Sequence, residues 1–169
     1  PLRSLDDIEA LRAGLADGTI DIIATDHAPH PVEDKDCAWA DAAFGMVGLE
    51  SALSVVQAAL IEPGILGWTD IARVFSRVPA GIGRVAGYER GIAAGAPANL
   101  TLVDPAARRD FSRTDLRGRS TNSPYFGMTL PGRVIATIHD GYPTVLDGEL
   151  VSAERVAASA AKARVLKRG

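Results

Sequence analysis

The chain has 169 residues, of which 47% are hydrophobic and 23% charged, and its net charge at pH 7 is −3. This composition is ordinary for a globular protein, and the acidic balance offers no basic surface for nucleic acid. The single cysteine, Cys37, excludes an internal disulfide framework and fits a reducing compartment. No apolar run approaches the roughly 20 residues of a membrane span, and no secretory signal begins the sequence. We therefore expect a soluble, cytoplasmic protein that binds neither nucleic acid nor membrane.

The first predicted elements are a helix and a strand. Ser4 and Asp7 have the spacing of a capping box, and apolar residues then recur at helical spacing until Gly18. The six residues from Ile20 to Thr25 are rich in β-branched side chains and carry one charge, Asp21. This pattern favours a largely buried parallel strand. Helix, turn and strand together predict one unit of an α/β fold.

Polar side chains gather where this strand is predicted to end, in Asp26-His27-Ala28-Pro29-His30. The carboxyl edge of a buried parallel strand is where α/β folds bind ligands. A carboxylate buried there without a partner would lose its hydration, so Asp26 needs a cation, a metal or a proton. The pattern therefore indicates a metal or acid–base site. The alternative is that Asp26 caps the next loop while both histidines pack or face solvent.

An acidic loop follows from Pro31 to Phe44, and its charged residues Glu33 to Asp36 are predicted to be a solvated cluster. Gly45 comes next. Since glycine lets a backbone approach a ligand closely, Phe44 and Gly45 are candidate ligand-binding residues. The alternative is a plain turn leading into the helical pattern from Leu49 to Leu60.

Two further helices are predicted before the point where glycine and proline become frequent. Thr69 is the expected N-cap of a helix from Asp70 to Ser76, and Pro79 can start a short helix that runs through Ile82. From Tyr88 onward, glycine and proline punctuate short β-like runs.

The clearest of these runs are Leu100 to Val103 and Val134 to His139, and Asp147-Gly148 predicts a two-residue hairpin turn. His139 is expected to be structural. The turn-rich loop from Asn122 to Gly127 could reach the predicted site, but the sequence gives little support for that contact. An alanine-rich closing helix is predicted from Ser152 to Leu166.

Two segments together carry a family resemblance: TDHAPH, which ends at His30, and AFGMVGLESAL, which begins at Ala43. They resemble the class I dihydroorotases of the amidohydrolase superfamily. The segments GAPANLTLVDP and NSPYFGMTLPGRV resemble C-terminal parts of the same family. Dihydropyrimidinases and allantoinases usually carry another residue in place of His30, so dihydroorotase is the better match.

The resemblance implies an α/β fold: the C-terminal part of a (β/α)8 metal-dependent hydrolase barrel plus part of a small β-sandwich. Residues 1–87 would form the last αβ units of the barrel, and residues 88–169 the sandwich segment with its closing helix.

The resemblance also implies a reaction, the reversible zinc-dependent hydrolysis of the cyclic amide of L-dihydroorotate to N-carbamoyl-L-aspartate in pyrimidine biosynthesis. Asp26 would bind one or two zinc ions and shuttle the proton between water and the departing nitrogen. His30 would donate to a substrate carboxylate or carbonyl, and the backbone of Phe44 and Gly45 would hold the ring amide. His27 matches no role in the resemblance.

The chain is shorter than a complete barrel, which needs about 250 residues. The family's early metal-binding HxH pair is absent, since the only histidines are His27, His30 and His139. We therefore expect the remaining N-terminal part of the barrel as a partner, a homo-oligomeric assembly, and no catalysis by this chain alone. The start at Pro1 is expected to reflect processing, proteolysis or trimming. The alternatives are a non-catalytic fragment or structural subunit, and another cyclic amidase.

Overall fold

The computed structural model describes residues 3–88 and 91–158, which form a mixed α/β structure with helices first and an antiparallel sheet second. In chain order the helices and strands are α1 (Leu5–Asp17), α2 (Ala52–Val56), α3 (Trp68–Ala72), α4 (Val78–Gly83), β1 (Leu100–Asp110), β2 (Thr129–His139), β3 (Tyr142–Leu146) and β4 (Glu149–Leu150). Short 3-10 turns lie at Val32–Asp34 and Arg113–Asp115, and π-helical turns at Gln57–Ile61 and Arg73–Arg77.

Helix α1 confirms the predicted capping box. The Ser4 side chain accepts from the Asp7 N–H, and the Asp7 carboxylate accepts from the Ser4 N–H, so two otherwise unpaired donors are satisfied. The helix ends at Gly18, whose φ of 86° gives the left-handed C-cap that glycine adopts without strain. Only part of its apolar face is covered: Leu15 is buried, but Leu5 is 77% exposed.

The predicted buried strand from Ile20 to Thr25 is wrong, because this segment forms no strand in the described structure. Ile20 and Ile23 pack against the helical core, but Ile22 on the other side is 38% exposed. A strand exists only where a neighbour supplies ladder bonds. Among the described residues the segment has no ladder partner, although the Ile23 N–H donates to the Val74 carbonyl at 3.2 Å.

The helices that follow differ from the predicted ranges and contain π turns. The helix predicted from Leu49 to Leu60 begins at Ala52 and continues through the π turn that ends at Ile61. The predicted N-cap Thr69 is wrong: Gly67 is the N-cap, and its N–H donates to the Asp70 carboxylate at 3.0 Å. Glycine is tolerated at an N-cap, and the Asp70 carboxylate here satisfies the Gly67 N–H, which is one half of a capping box.

The second π turn, Arg73–Arg77, leaves the Val74 carbonyl without a donor from its own helix. There the Val78 N–H donates to the Arg73 carbonyl, five residues back, instead of to Val74. Pro79, in the first turn of α4, has no N–H to offer Val74 either. The Val74 carbonyl is therefore left for the Ile23 N–H.

A compact apolar cluster joins these helices. Leu15 of α1 packs with residues of α2, α3 and the segments beside them, and Ile20, Ile23 and Leu53 lie at its edge. The buried members of this cluster are Leu15, Val56, Leu60, Leu66 and Ile71.

The sheet has the order β1-β2-β3-β4, and every pair is antiparallel. The two predicted β-like runs are confirmed and extended, since β1 and β2 each have 11 residues. Register shifts lie near Pro105, where proline cannot donate to the ladder. The Asp147-Gly148 turn is confirmed, and its φ values of 53° and 79° are those of a hairpin turn with two left-handed residues.

Polar contacts join the sheet to the helices. The Gln57 side chain donates to the Pro105 carbonyl at 2.8 Å, and Arg108 pairs with Glu62 at 2.6 Å. The Tyr88 hydroxyl lies 2.6 Å from Nδ1 of His139, so His139 takes part in a structural contact.

The predicted closing helix is seen as a helical segment at 153–158, and its continuation lies outside the described residues. In the described part of the chain, no helix is long and apolar enough to cross a membrane. The predicted division between residues 87 and 88 stays a prediction.

Candidate active site

The structure joins the two segments that carried the resemblance. The Ala28 N–H donates to the Met46 carbonyl at 2.9 Å, and His27 forms a parallel bridge with Met46. This pairing sets the Asp26–His30 segment beside Phe44 and Gly45.

Asp26 has a left-handed backbone with φ of 44°, and its side chain is exposed. Left-handed backbone is uncommon for residues other than glycine, although Asp tolerates it better than most, and it is often found at functional sites. Within the described part of the chain the Asp26 carboxylate has no hydrogen-bond partner, so both of its oxygens are open to a ligand.

Gly45 is required for the close approach of the two segments. Its φ is 106°, and a Cβ at this position would lie 2.6 Å from the Ala28 Cβ and 3.6 Å from His30 Nε2. The His30 ring therefore stands next to the Gly45 backbone, and these two predicted site residues are brought together. Phe44 is 92% exposed, so its ring packs little against the described residues.

The two histidines of the first segment differ in role. Nδ1 of His27 accepts from the backbone N–H groups of Gly48 and Leu49, at 3.1 and 3.4 Å. These two bonds tie His27 to the turn before α2. Nδ1 of His30 lies 3.8 Å from the Asp34 carboxylate, at the outer limit of an ion pair, and its side chain stays 24% exposed.

Lys35 contributes to the site in a way that the sequence did not predict. It was expected to belong to a solvated charge cluster, but its Nζ donates to the carbonyls of Ala43 and Gly45, both at 2.6 Å. Charge-assisted bonds of this kind hold the loop in a defined shape. The Gly45 carbonyl is thereby occupied. The Gly45 N–H has no partner among the described residues.

Asn122 reaches the site from the far end of the chain. It bonds to Ala28, His30 and Gly45 through its side chain and to Val47 through its main chain. The contact that had little support from sequence is therefore present. No pattern in the sequence reveals it, because it spans about half of the chain.

A cleft of about 580 Å³ opens beside His30. Residues 29–32 with Lys35 and Asp36 line one side, and Arg113 and residues 119–122 line the other. Of the predicted site residues, His30 lines this cleft, whereas Asp26, Phe44 and Gly45 lie outside its lining, so only part of the candidate site opens into it.

The residues that the structure describes do not by themselves fit a zinc site. Among residues 3–88 and 91–158, no group of three or more His, Cys, Asp or Glu side chains is placed to hold a metal ion. A catalytic zinc needs three protein ligands, and Asp26 alone supplies one carboxylate.

Comparison with known proteins shows which proteins the chain is similar to. The chain is 67% identical over 151 residues to the dihydroorotase of Leifsonia xyli subsp. xyli, which covers 89% of the chain and 34% of that protein. It is 56% identical over 150 residues to the dihydroorotase of Streptomyces coelicolor, again over 89% of the chain and 35% of that protein. The chain is a homologue of the dihydroorotases. It spans about a third of the length of these curated relatives, which is consistent with the predicted C-terminal fragment. No family model matches it.

The solved structures give the same answer at the level of the fold. The L-hydantoinase (dihydropyrimidinase) of Arthrobacter aurescens superposes with a TM-score of 0.81 at 28% identity, over 90% of the chain and 34% of that protein. A D-hydantoinase from Thermus sp. gives 0.79 at 26% identity, over 90% of the chain and 34% of that protein. The predicted α/β class is therefore confirmed, and the fold is consistent with that of a fragment of a hydantoinase chain.

Proposed function

We propose that this chain supplies the proton-transfer and substrate-binding part of a dihydroorotase active site, which acts on L-dihydroorotate and N-carbamoyl-L-aspartate. The observation that supports this most directly is the pairing of the Asp26–His30 segment with Phe44 and Gly45. It occurs in a chain that is 67% identical to a dihydroorotase. A hydantoinase-like specificity is less favoured, because the identity to hydantoinases is 28%.

In the proposed reaction, Asp26 is the acid–base group. Its exposed carboxylate accepts a proton from water while the water oxygen bonds to the ring carbonyl carbon. The carbon–nitrogen bond of the ring then breaks, and Asp26 returns the proton to the departing nitrogen. Ring closure of N-carbamoyl-aspartate is the reverse of these steps.

The substrate-binding part consists of His30 and the loop at Gly45. His30 faces the cleft and donates to a substrate carboxylate or carbonyl. The Gly45 carbonyl already accepts from both Lys35 and Asn122, so, among the described residues, the N–H and carbonyl of Phe44 and the Gly45 N–H are the backbone groups left for the ring amide. This assignment refines the one that the resemblance implied for Phe44 and Gly45.

The resemblance implies zinc, and Asp26 would be this chain's contribution to its ligands. All other ligands would come from outside the described residues, so the proposed barrel partner is needed for metal binding. The proposed barrel and β-sandwich, the homo-oligomer, the cytoplasmic location and the pathway of pyrimidine synthesis are parts of the same proposal.

A hybrid enzyme tests the proposal. In it, the segment of the Leifsonia xyli dihydroorotase that matches this chain is replaced by this chain. We expect the hybrid to hydrolyse dihydroorotate and the isolated chain to show no turnover. In the hybrid, Asp26→Asn should lower kcat by at least about 1,000-fold, since it removes the proton acceptor.

The matched control is Asp21→Asn, which changes an exposed carboxylate five residues earlier in the same segment. It should leave kcat within about threefold, in the range of surface substitutions. An inactive hybrid would refute the proposed function. An Asp26→Asn variant within about tenfold of the unsubstituted hybrid would refute the role of Asp26.

A further inference from the structure

Asn122 lies 92 residues after His30, yet its side-chain amide contacts both segments of the site. Its Oδ1 accepts from the His30 N–H at 3.4 Å. Its Nδ2 donates to the Ala28 carbonyl at 2.9 Å and to the Gly45 carbonyl at 3.3 Å. One amide group therefore bridges the segment that carries His30 and the loop that carries Gly45.

The main chain around Asn122 strengthens this bridge. The Asn122 carbonyl accepts from the Val47 N–H at 3.1 Å, and the Ser120 hydroxyl donates to the His30 carbonyl at 2.8 Å. Asn122 needs a donor and an acceptor on one short side chain. A primary amide has both, whereas a carboxylate has only acceptors.

We propose that Asn122 is a positioning residue, which sets the separation between His30 and the backbone of Phe44 and Gly45. This inference rests on the proposed function, because those two groups are the proposed contacts to the substrate. Asn122 lies among the lining residues of the cleft beside His30, and its bonds are to protein groups on both sides. It fixes both substrate contacts before the reaction starts, so it supports the bound substrate and the transition state about equally.

The test is Asn122→Ala in the hybrid enzyme. We expect KM for dihydroorotate to rise about tenfold while kcat stays within about threefold, the result for interactions that bind substrate and transition state alike. Asn122→Asp keeps the acceptor but faces the Ala28 and Gly45 carbonyls with a carboxylate. It should raise KM at least as much as the alanine variant.

Ser123→Ala is the matched control. Its hydroxyl accepts from the Tyr125 N–H at 3.3 Å, and its removal should leave KM unchanged. The second measurement is backbone hydrogen exchange by mass spectrometry over residues 26–30 and 43–47. Exchange there should quicken in Asn122→Ala and not in Ser123→Ala, whether or not the sample is active.

Each outcome decides a different question. An inactive unsubstituted hybrid would overturn the proposed function. An active hybrid whose Asn122→Ala variant keeps its KM would overturn the positioning role alone, even if the melting temperature falls or the exchange rate rises. Unchanged exchange in the two segments would show that Asn122 does not hold them together, which also overturns the inference.

Discussion

Two stretches of this chain have a β-strand pattern, but only one of them forms a strand. Ile20 to Thr25 has a strong β-strand pattern but forms no strand, and half of it faces outward. Leu100–Asp110 contains a proline, yet it forms a strand with an 11-residue partner. The difference shows that the partner, rather than the side chains, decides whether a strand forms.

The same contrast separates the site from the sheet. The loops of the site are held by a few side-chain bonds: those from Lys35 stay within its own loop, and those from Asn122 reach across the chain. The sheet is held by backbone ladders between neighbouring strands, interrupted by register shifts. Changes in the site loops should therefore alter geometry and turnover, whereas changes in the sheet should alter stability.

Among the changes that separate these two regions, the largest expected effect comes from Gly45→Ala in the hybrid enzyme. The new Cβ would meet the Ala28 Cβ at 2.6 Å, so the two site segments must separate. We expect kcat/KM to fall about 100-fold, because small misplacements of reacting groups are costly. Steady-state kinetics measure this. The control is Gly64→Ala, which has a φ of 76° but open space around it. An equal loss in both variants would assign the effect to backbone strain alone.

In the sheet, Gly148→Ala should lower stability and leave turnover unchanged. Gly148 has a φ of 79° and lies against the Arg133 guanidinium, so alanine strains the hairpin turn. We expect the free energy of unfolding to fall by about 1–3 kcal/mol, with kcat/KM unchanged. Urea unfolding measures the first quantity, and Gly118→Ala, which has open space around it, is the control. A loss of turnover without a loss of stability would remove the distinction between the two regions.

The smallest effect concerns Asp17, where α1 turns toward the site segment. The Thr19 backbone N–H and side chain lower the pKa of the Asp17 carboxyl below its ordinary value of 3.8. A lowered pKa in the folded state means that the carboxylate stabilises the fold above pH 3.8, and that this contribution is lost as the pH falls through the lowered pKa.

Asp17→Asn should therefore lower the melting temperature slightly at neutral pH, and the difference should vanish in acid. Thermal unfolding between pH 2 and pH 7 measures it, with Asp41→Asn as an exposed control. A difference that grows toward low pH would contradict the assignment.

Local signals allowed much of the fold to be predicted. The Ser4 capping box and the Asp147-Gly148 turn act over a few residues, and both were found as expected. Asp26, His30 and Gly45 could be named because they sit in a dense motif. The roles of Lys35 and Asn122 could not be predicted. Lys35 bonds to carbonyls 8 and 10 residues away, which depends on how its loop folds, and Asn122 bonds to a carbonyl 94 residues away. The prediction of a strand from Ile20 to Thr25 was wrong for a related reason. The side-chain pattern of a strand is local, whereas its hydrogen-bonded ladder needs a neighbouring segment.

The π turn before α4 affects the position of Asp26, because Pro79 in the first turn of α4 has no backbone N–H. Since Pro79 cannot donate and Val78 bonds elsewhere, the Val74 carbonyl is an open acceptor inside a helix, and the Ile23 N–H fills it three residues before Asp26. An ordinary residue at position 79 would offer its own N–H and compete for that carbonyl. The anchor of the segment that leads to Asp26 thus depends on Pro79, which lies 53 positions later in the sequence. The irregular helical turn before Pro79 leaves the Val74 carbonyl free to bind the chain that enters the candidate site.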